Sequence, residues 1–218
     1  MIRFRGRKRL SPAALKRLCA LYGHLEELSA EGQPRVTSFE IAADLGANAA
    51  SVRRDISAVG ELGPSPVGYD VRELKGLLED KMGLGRTARV CVVGLNWLGR
   101  ALVAGAEAGL GGFRVVAGFD ANTNRLETTP SPVPLFPTYE IEDVVHREAI
   151  EIALIAALSS AAPEILSRLA RGGVRGVLNL TGRSLGRNVA GLVYSSVAVL
   201  DELRYLAVML RMEEGNST

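Results

Sequence analysis

Cysteine and histidine are scarce in this 218-residue chain, with two of each. Cys19 and Cys91 lie far apart, and each falls inside an apolar pattern. That predicts two buried thiols rather than a disulfide or a metal site. With only His24 and His146 beside them, no metal-ligand cluster is present and no metal is expected. Long apolar runs are missing too. The longest, such as Ile152 to Leu158, are far too short to span a bilayer. Met1 to Leu10 is basic with no apolar segment behind it, so a secretory signal is not expected. A reducing cytoplasm is the expected setting. What is abundant is apolar surface: 47% of residues are hydrophobic, enough for one large domain or two modest ones.

Charge is distributed unevenly. Residues 1–56 hold ten Lys/Arg against six Asp/Glu, a net of +4, while the remainder nets −2. A basic first quarter on a slightly acidic body suggests a polyanion-binding head on a neutral module.

The pattern of that first quarter is helical. Ser11-Pro12 offers a side-chain cap followed by Pro at the first helical position. Leu15, Leu18, Cys19, Tyr22, Leu25 and Leu28 then recur at helical spacing, until Glu31 to Pro34 breaks the run. A second helix opens at Thr37 with Glu40 completing a capping box, and Gly46 stops it. Asn48 caps a third, Ala49 to Val59. Two short helices joined by a Gly turn, the second with small residues and then paired arginines, make a helix-turn-helix. Val52 and Ile56 should face the core, and Ser51, Arg53 and Arg54 the DNA, where arginines meet guanine edges or phosphates. The remaining residues expected at DNA are Arg7, Lys8 and Arg9 of the basic arm, Lys16 and Arg17, Ser38 and Asn48. Gly60 to Tyr69 suits a wing hairpin, and Asp70 with Glu73 caps a last helix running to Met82. Residues 1–82 therefore form a winged-helix domain, and 83–88 a linker.

Residues 89–195 alternate strand and helix, which implies a parallel sheet with helices on both faces. Expected strands are Arg89 to Val93, Arg114 to Phe119, Val133 to Phe136, Ile150 to Ala156, Gly176 to Leu180 and Leu192 to Ser195. Helices are expected over Glu140 to His146 and Ser160 to Arg171. Gly94-Leu95-Asn96-Trp97-Leu98-Gly99 follows the first strand, and Asp120 ends the second, 21 residues past Gly99. That is the layout of a Rossmann-type first βαβ unit: a turn offering N–H groups to a pyrophosphate, then an acid for a ribose hydroxyl. The expected cofactor-binding residues are Gly94, Asn96, Trp97, Leu98, Gly99 and Asp120, with Arg125 near a phosphate. The fold class is thus α/β, a winged helix-turn-helix followed by a Rossmann-type parallel sheet. Ser196 to Met212 is helical, with Val199, Leu203, Leu206 and Leu210 on one stripe. It could pack on its own sheet or embrace a second subunit, giving the two heads that a palindromic site needs.

In this order of parts the chain resembles the Rex family of redox-sensing transcriptional repressors. The likeness is carried by Ser11-Pro12 through Leu18, Tyr22 to Leu28, Arg35 to Ser38, Ser51 to Ser57, Gly60 to Gly63, Val67 to Val71, Val92-Val93-Gly94 with Leu98 to Ala101, Phe119-Asp120, Gly176 to Asn179, and Glu202-Leu203. The resemblance implies no enzyme activity and no catalytic residues. It implies a cytoplasmic homodimer with its C-terminal helix swapped between subunits, bound to palindromic operator DNA and responsive to the NADH/NAD⁺ balance. It implies repression of genes of fermentation, respiration or NADH reoxidation.

The departures from the family pattern cluster at the nucleotide. Asn96 stands at the fingerprint's middle glycine and Trp97 at its usual asparagine. Ala156-Ala157-Leu158 replaces Thr-Val-Pro near the nicotinamide, and a Gly/Ala-rich run, Ala104 to Gly112, replaces aromatics. Pro64-Ser65-Pro66 replaces a basic residue with glycine in the wing, with the basic arm as the compensating charge. Ala198 stands near an expected interdomain Asp, with Asp201 as a stand-in. A weakened or altered NAD(H) response is the expectation. Two alternatives remain open: the same fold sensing another nucleotide or none, and a small NAD(P)-dependent oxidoreductase. Against the latter, neither His24 nor His146 falls at a strand end where an acid–base group would be needed.

Overall fold

A computed structural model describes residues 10–62, 67–107, 111–157, 162–185 and 191–216. The chain divides into two compact units, Met1–Arg86 and Thr87–Thr218. The basic arm, including Arg7, Lys8 and Arg9, lies outside the described residues, as do Pro64-Ser65-Pro66 of the wing and Leu158.

The first unit is helical around one core. Helix α1 (Pro12–Ala30) starts where Ser11 Oγ accepts from the Ala14 N–H at 3.1 Å, with Pro12 entering without a hydrogen to donate. Its buried face is Ala14, Leu18, Leu21, Leu25 and Leu28. Cys19 is exposed, which corrects the expectation of two buried thiols. It follows Leu18 by one residue, about 100° around the helix, and so leaves the seam that Leu18 occupies. Strand β1 (Arg35–Val36) comes next, then α2 (Ser38–Asp44) and α3 (Ala49–Val59). The capping box is complete: Glu40 N–H donates to Thr37 Oγ1, and Thr37 N–H to Glu40 Oε2 at 2.7 Å. Asn48 Oδ1 caps α3 by accepting from Ala50 N–H at 2.8 Å. Val52 and Ile56 are buried, as their spacing predicts.

Strand β2 (Tyr69–Asp70) pairs antiparallel with β1, Arg35 opposite Asp70 and Val36 opposite Tyr69. The wing thus closes on residues between α1 and α2, which the sequence shows only as a break. Gly68 is required there. It sits at φ +88°, and a Cβ would stand 2.6 Å from the Val36 carbonyl oxygen. Helix α4 (Val71–Met82) is capped by Asp70 and ends on left-handed Gly83. An ion pair ties α1 to α3: Arg17 of α1 donates through Nε to the buried Asp55 of α3 at 2.8 Å.

The second unit is a six-stranded, wholly parallel sheet. In chain order it comprises β3 (Ala88–Val93), α5 (Trp97–Ala104), β4 (Phe113–Asp120), α6 (Thr123–Thr128), β5 (Leu135–Pro137), α7 (Ile141–Arg147), β6 (Ile152–Ile155), α8 (Ala162–Gly172), β7 (Gly176–Asn179), β8 (Val193–Ser196) and α9 (Val199–Asn216). The strand order is β5-β4-β3-β6-β7-β8. Chain progression reverses between β3 and β6, so the ligand crevice of this doubly wound fold opens outside their carboxyl ends. Alternation along β3 serves both faces. Cys91 and Val93 pack on one side with Phe119, α7 and α8; Val90 and Val92 pack on the other with Val103 of α5. Complete burial pushes the Cys91 thiol up to about 12.

Helix α6 was not expected from sequence; it is one and a half turns, capped by Asn122 accepting from Arg125 N–H. Helix α9 does not pack on its own sheet. Its Leu203, Leu206 and Leu210 stay 55–61% exposed. Among the described residues no helix is long and apolar enough to cross a membrane, and no group of acidic, His or Cys side chains could hold a metal ion.

Replacing Asp55 by Ala strands the Arg17 guanidinium against the core. Urea unfolding should show a loss of about 1–3 kcal/mol, with an unchanged midpoint as the contrary result.

Candidate functional site

On the head, α2 and the N-terminal half of α3 form one face. Arg53 and Arg54 are exposed and Ser51 is half-buried. Arg53 is seated: its Nη1 donates to Ser38 Oγ at 2.8 Å, and its guanidinium lies over the Phe39 ring, 5.7 Å from the centroid. Ser38 itself is buried at the start of α2. Arg54 has no intramolecular partner among the described residues. Asn48 is exposed with its side-chain oxygen spent on the cap. Lys16 is exposed on α1, whereas Arg17 is held by Asp55 and braces α1 against α3. The apolar pattern of α2 places Phe39 with Ile41 and Ala42, yet Phe39 is 72% exposed, unusual for so large an apolar ring.

In the second unit, the turn after β3 is built by two glycines. Gly94 adopts φ +92°, and a Cβ would lie 2.5 Å from Ala157 N. A Cβ on Gly99 would stand 1.8 Å from the Gly94 carbonyl oxygen, so α5 can approach β3 only with glycine there. These are the tight-turn and close-packing roles of the fingerprint's outer glycines. Asn96 occupies the middle position with both ends of its amide turned into the protein. Oδ1 accepts from Gly99 N–H at 2.9 Å, and Nδ2 donates to the Ala156 carbonyl at 3.0 Å. It is therefore the N-cap of α5 and a tie to β6. Trp97 is 75% exposed and Leu98 half-buried.

Asp120 is 4% exposed and ties two turns together. Oδ2 accepts from Leu95 N–H at 2.6 Å, Oδ1 from Asn122 N–H at 2.8 Å, and Arg125 Nη1 stands 3.5 Å from Oδ2. Beside it opens a cleft of about 470 Å³, whose walls include Gly94, Asp120, Asn122, Thr123, Arg125 and Thr138. The structure thus brings Gly94, Asp120 and Arg125 to one cavity, while Asn96 and Trp97 do not line it. Neither Asn122, which caps the unexpected α6, nor Thr138 was singled out from the sequence. No structural role for Asn179 was legible in the sequence either. Fully buried at the end of β7, its amide nitrogen lies within 3.0 Å of the Arg183 carbonyl, Tyr194 Oη and Ser196 Oγ. It joins the following loop to the edge strand that leads into α9.

Residues 9–57 match the family model described as "Putative DNA-binding protein N-terminus". The redox-sensing transcriptional repressor Rex of Pediococcus pentosaceus is 34% identical over 173 residues, covering 79% of this chain and 83% of that protein. The chain belongs to the Rex family. Rex of Carboxydothermus hydrogenoformans is 33% identical, covering 78% of this chain and 82% of its own length. Among solved structures, RSP, a Rex-family repressor, is similar with TM-score 0.80 and 26% identity, covering 97% of this chain and 99% of its own. RSP in complex with β-NAD⁺ and operator DNA gives TM-score 0.81 at 26% identity, with 97% of each chain covered. These Rex relatives are repressors, so the oxidoreductase alternative falls.

The Asn96 cap is testable on its own. Asn96→Ala frees Gly99 N–H and the Ala156 carbonyl together, and thermal unfolding should show about 1–2 kcal/mol lost. An unchanged Tm would mean that the side chain does not make these bonds. Gly99→Ala should be worse, giving little folded protein.

Proposed function

We propose that this Rex-family chain is a cytoplasmic, homodimeric repressor that grips palindromic operator DNA through α2 and α3 and answers to NAD(H) weakly. The observation that carries the reading is the likeness, over 97% of the chain, to a repressor whose crystals hold both β-NAD⁺ and operator DNA.

The DNA side follows from charge and shape. The α3 helix enters the major groove with its small-residue end, Asn48 to Ser51, closest to the bases. Arg54 supplies an unspent fork, Arg53 a seated one, and Lys16 with Arg7, Lys8 and Arg9 supply phosphate neutralisation. Ser38 acts through Arg53, and Arg17 through the α1–α3 brace.

The nucleotide side fits a dinucleotide. Gly94 and Gly99 shape the turn, and the first α5 N–H groups, Trp97 and Leu98, are left for an outside acceptor. Asp120 lies where an adenosine ribose hydroxyl would be accepted, with Arg125 beside it. Bound NADH would supply a difference in affinity between two states of the dimer, which is all that a ligand can contribute to switching. Asn96 supports the weakened response. Its Oδ1 consumes the Gly99 N–H, and a side chain stands where a bare glycine lets backbone approach the pyrophosphate. Leu158 and the exposed Trp97 add to the departure.

The dimer rests on α9. Val199, Leu203, Leu206 and Leu210 line one side, Tyr205, Val208, Met209 and Met212 another, and all are at least 40% exposed. A helix apolar on nearly every side belongs inside a protein. A second subunit, exchanging this helix, is the occupant that the reading assigns.

Trp97 is the only tryptophan, so NADH titration followed by its fluorescence reports on the turn directly. Dissociation constants well above micromolar are expected; micromolar or tighter binding would contradict the weakened response. Arg54→Ala should bind a palindromic duplex roughly tenfold or more less tightly, with unaltered circular dichroism. Equal affinity would remove Arg54 from the DNA contacts.

A further inference from the structure

Phe39 is the most conspicuous residue on the head that folding does not explain. Its ring is 72% exposed at the second position of α2, where it contributes little to the core. Its one described partner is Arg53, whose guanidinium lies 5.7 Å from the ring centroid. The same guanidinium donates through Nη1 to Ser38 Oγ at 2.8 Å. Ser38 is buried and α2 opens on a complete capping box, so this seat is rigid. Tyr69 of β2 completes the surroundings: burial raises its hydroxyl, and the Arg53 charge opposes that rise.

An exposed arginine on a helix surface ordinarily samples many rotamers, and fixing it costs side-chain entropy. A flat aromatic under one face and a hydroxyl at one nitrogen bear that cost in advance. The arrangement leaves the Nε and Nη2 edge of Arg53 without a partner among the described residues. Two parallel N–H groups on one edge match the O6 and N7 acceptors of guanine in the major groove.

We propose that Phe39 is a positioning residue for base reading: its ring, with Ser38, holds Arg53 so that the guanidinium edge meets one guanine of the bound site. The inference rests on the DNA-binding reading above. It assigns sequence discrimination to a pair spanning both helices of the motif, with Phe39 acting through Arg53.

The test uses the full-length protein and a duplex that it selects from a randomised pool. Each guanine of that duplex is replaced in turn by 7-deazaguanine, which lacks the N7 acceptor. Wild type should lose about tenfold or more in affinity at one guanine per half-site, the worth of a good bidentate contact. Phe39→Ala should bind the unmodified duplex roughly 5–30-fold less tightly, lose the 7-deazaguanine effect at that position, and keep the wild-type salt slope. Phe39→Tyr, which restores the platform, should recover both affinity and discrimination. At 72% exposure the Ala substitution leaves the core intact, which circular dichroism checks. Three results would overturn the proposal. One is a 7-deazaguanine effect unchanged in Phe39→Ala. Another is a uniform loss on all duplexes with a shallower salt slope, which marks a phosphate contact. The third is a wild type that selects no duplex, which removes the DNA-binding reading as well.

Discussion

The second unit depends on one close approach: the backbone of Gly99 packed against the carbonyl of Gly94. No side chain fits between them, since even a Cβ would stand 1.8 Å from that oxygen. The approach sets the N-terminus of α5 against the end of β3, where the strand order reverses. The other features of the cleft are referred to it. Asp120 reaches back from β4 to Leu95 N–H and forward to Asn122 N–H, so two turns share one buried carboxylate. Asn96 then joins α5 to the end of β6 through the Ala156 carbonyl. Three parallel strands thus end in a common polar lattice made of backbone groups and two side chains. Buried polar groups with partners specify geometry, and unpaired ones are costly, so the lattice is rigid by its own bookkeeping.

The head is organised differently. Its core is aliphatic and its polar interactions lie at helix starts. Ser11, Thr37, Asn48 and Asp70 each cap a helix with a side-chain oxygen. Of the longer-range side-chain links, Arg17 to Asp55 and Arg53 to Ser38 reach α3, while Tyr22 to Glu79 and His24 to Asp44 tie α1 to α4 and α2. The helix assigned to the DNA is therefore referenced by side chains to both α1 and α2, as groove recognition requires.

Much of this was legible in the sequence, for physical reasons. Caps are local, so Asn48 and Asp70 mark the starts of α3 and α4 to the residue. Buried parallel strands appear as apolar runs, which placed the inner strands within two residues or so, and the exposed β8 was placed as closely. The outer glycines and Asp120 were legible because the turn admits few alternatives. What escaped depended on tertiary partners. Cys19 and Leu21 compete for one seam, and only packing on α3 and α4 decides which is inside. The strand pair at the base of the wing joins segments more than thirty residues apart. Helix α6 is too short for periodicity to show. Phe39 looks like a core residue in any apolar pattern, and its ring over Arg53 is visible only in three dimensions.

A single titration tests the central claim, that a sound DNA-reading head is joined to a Rossmann domain whose nucleotide response is blunted. A fluorescent palindromic duplex selected by the protein is bound to saturation, and NADH is added stepwise while anisotropy is followed. The account predicts tight binding without NADH, with release only at concentrations well above micromolar. Failure to bind any palindromic duplex, or complete release at micromolar NADH or below, would contradict it.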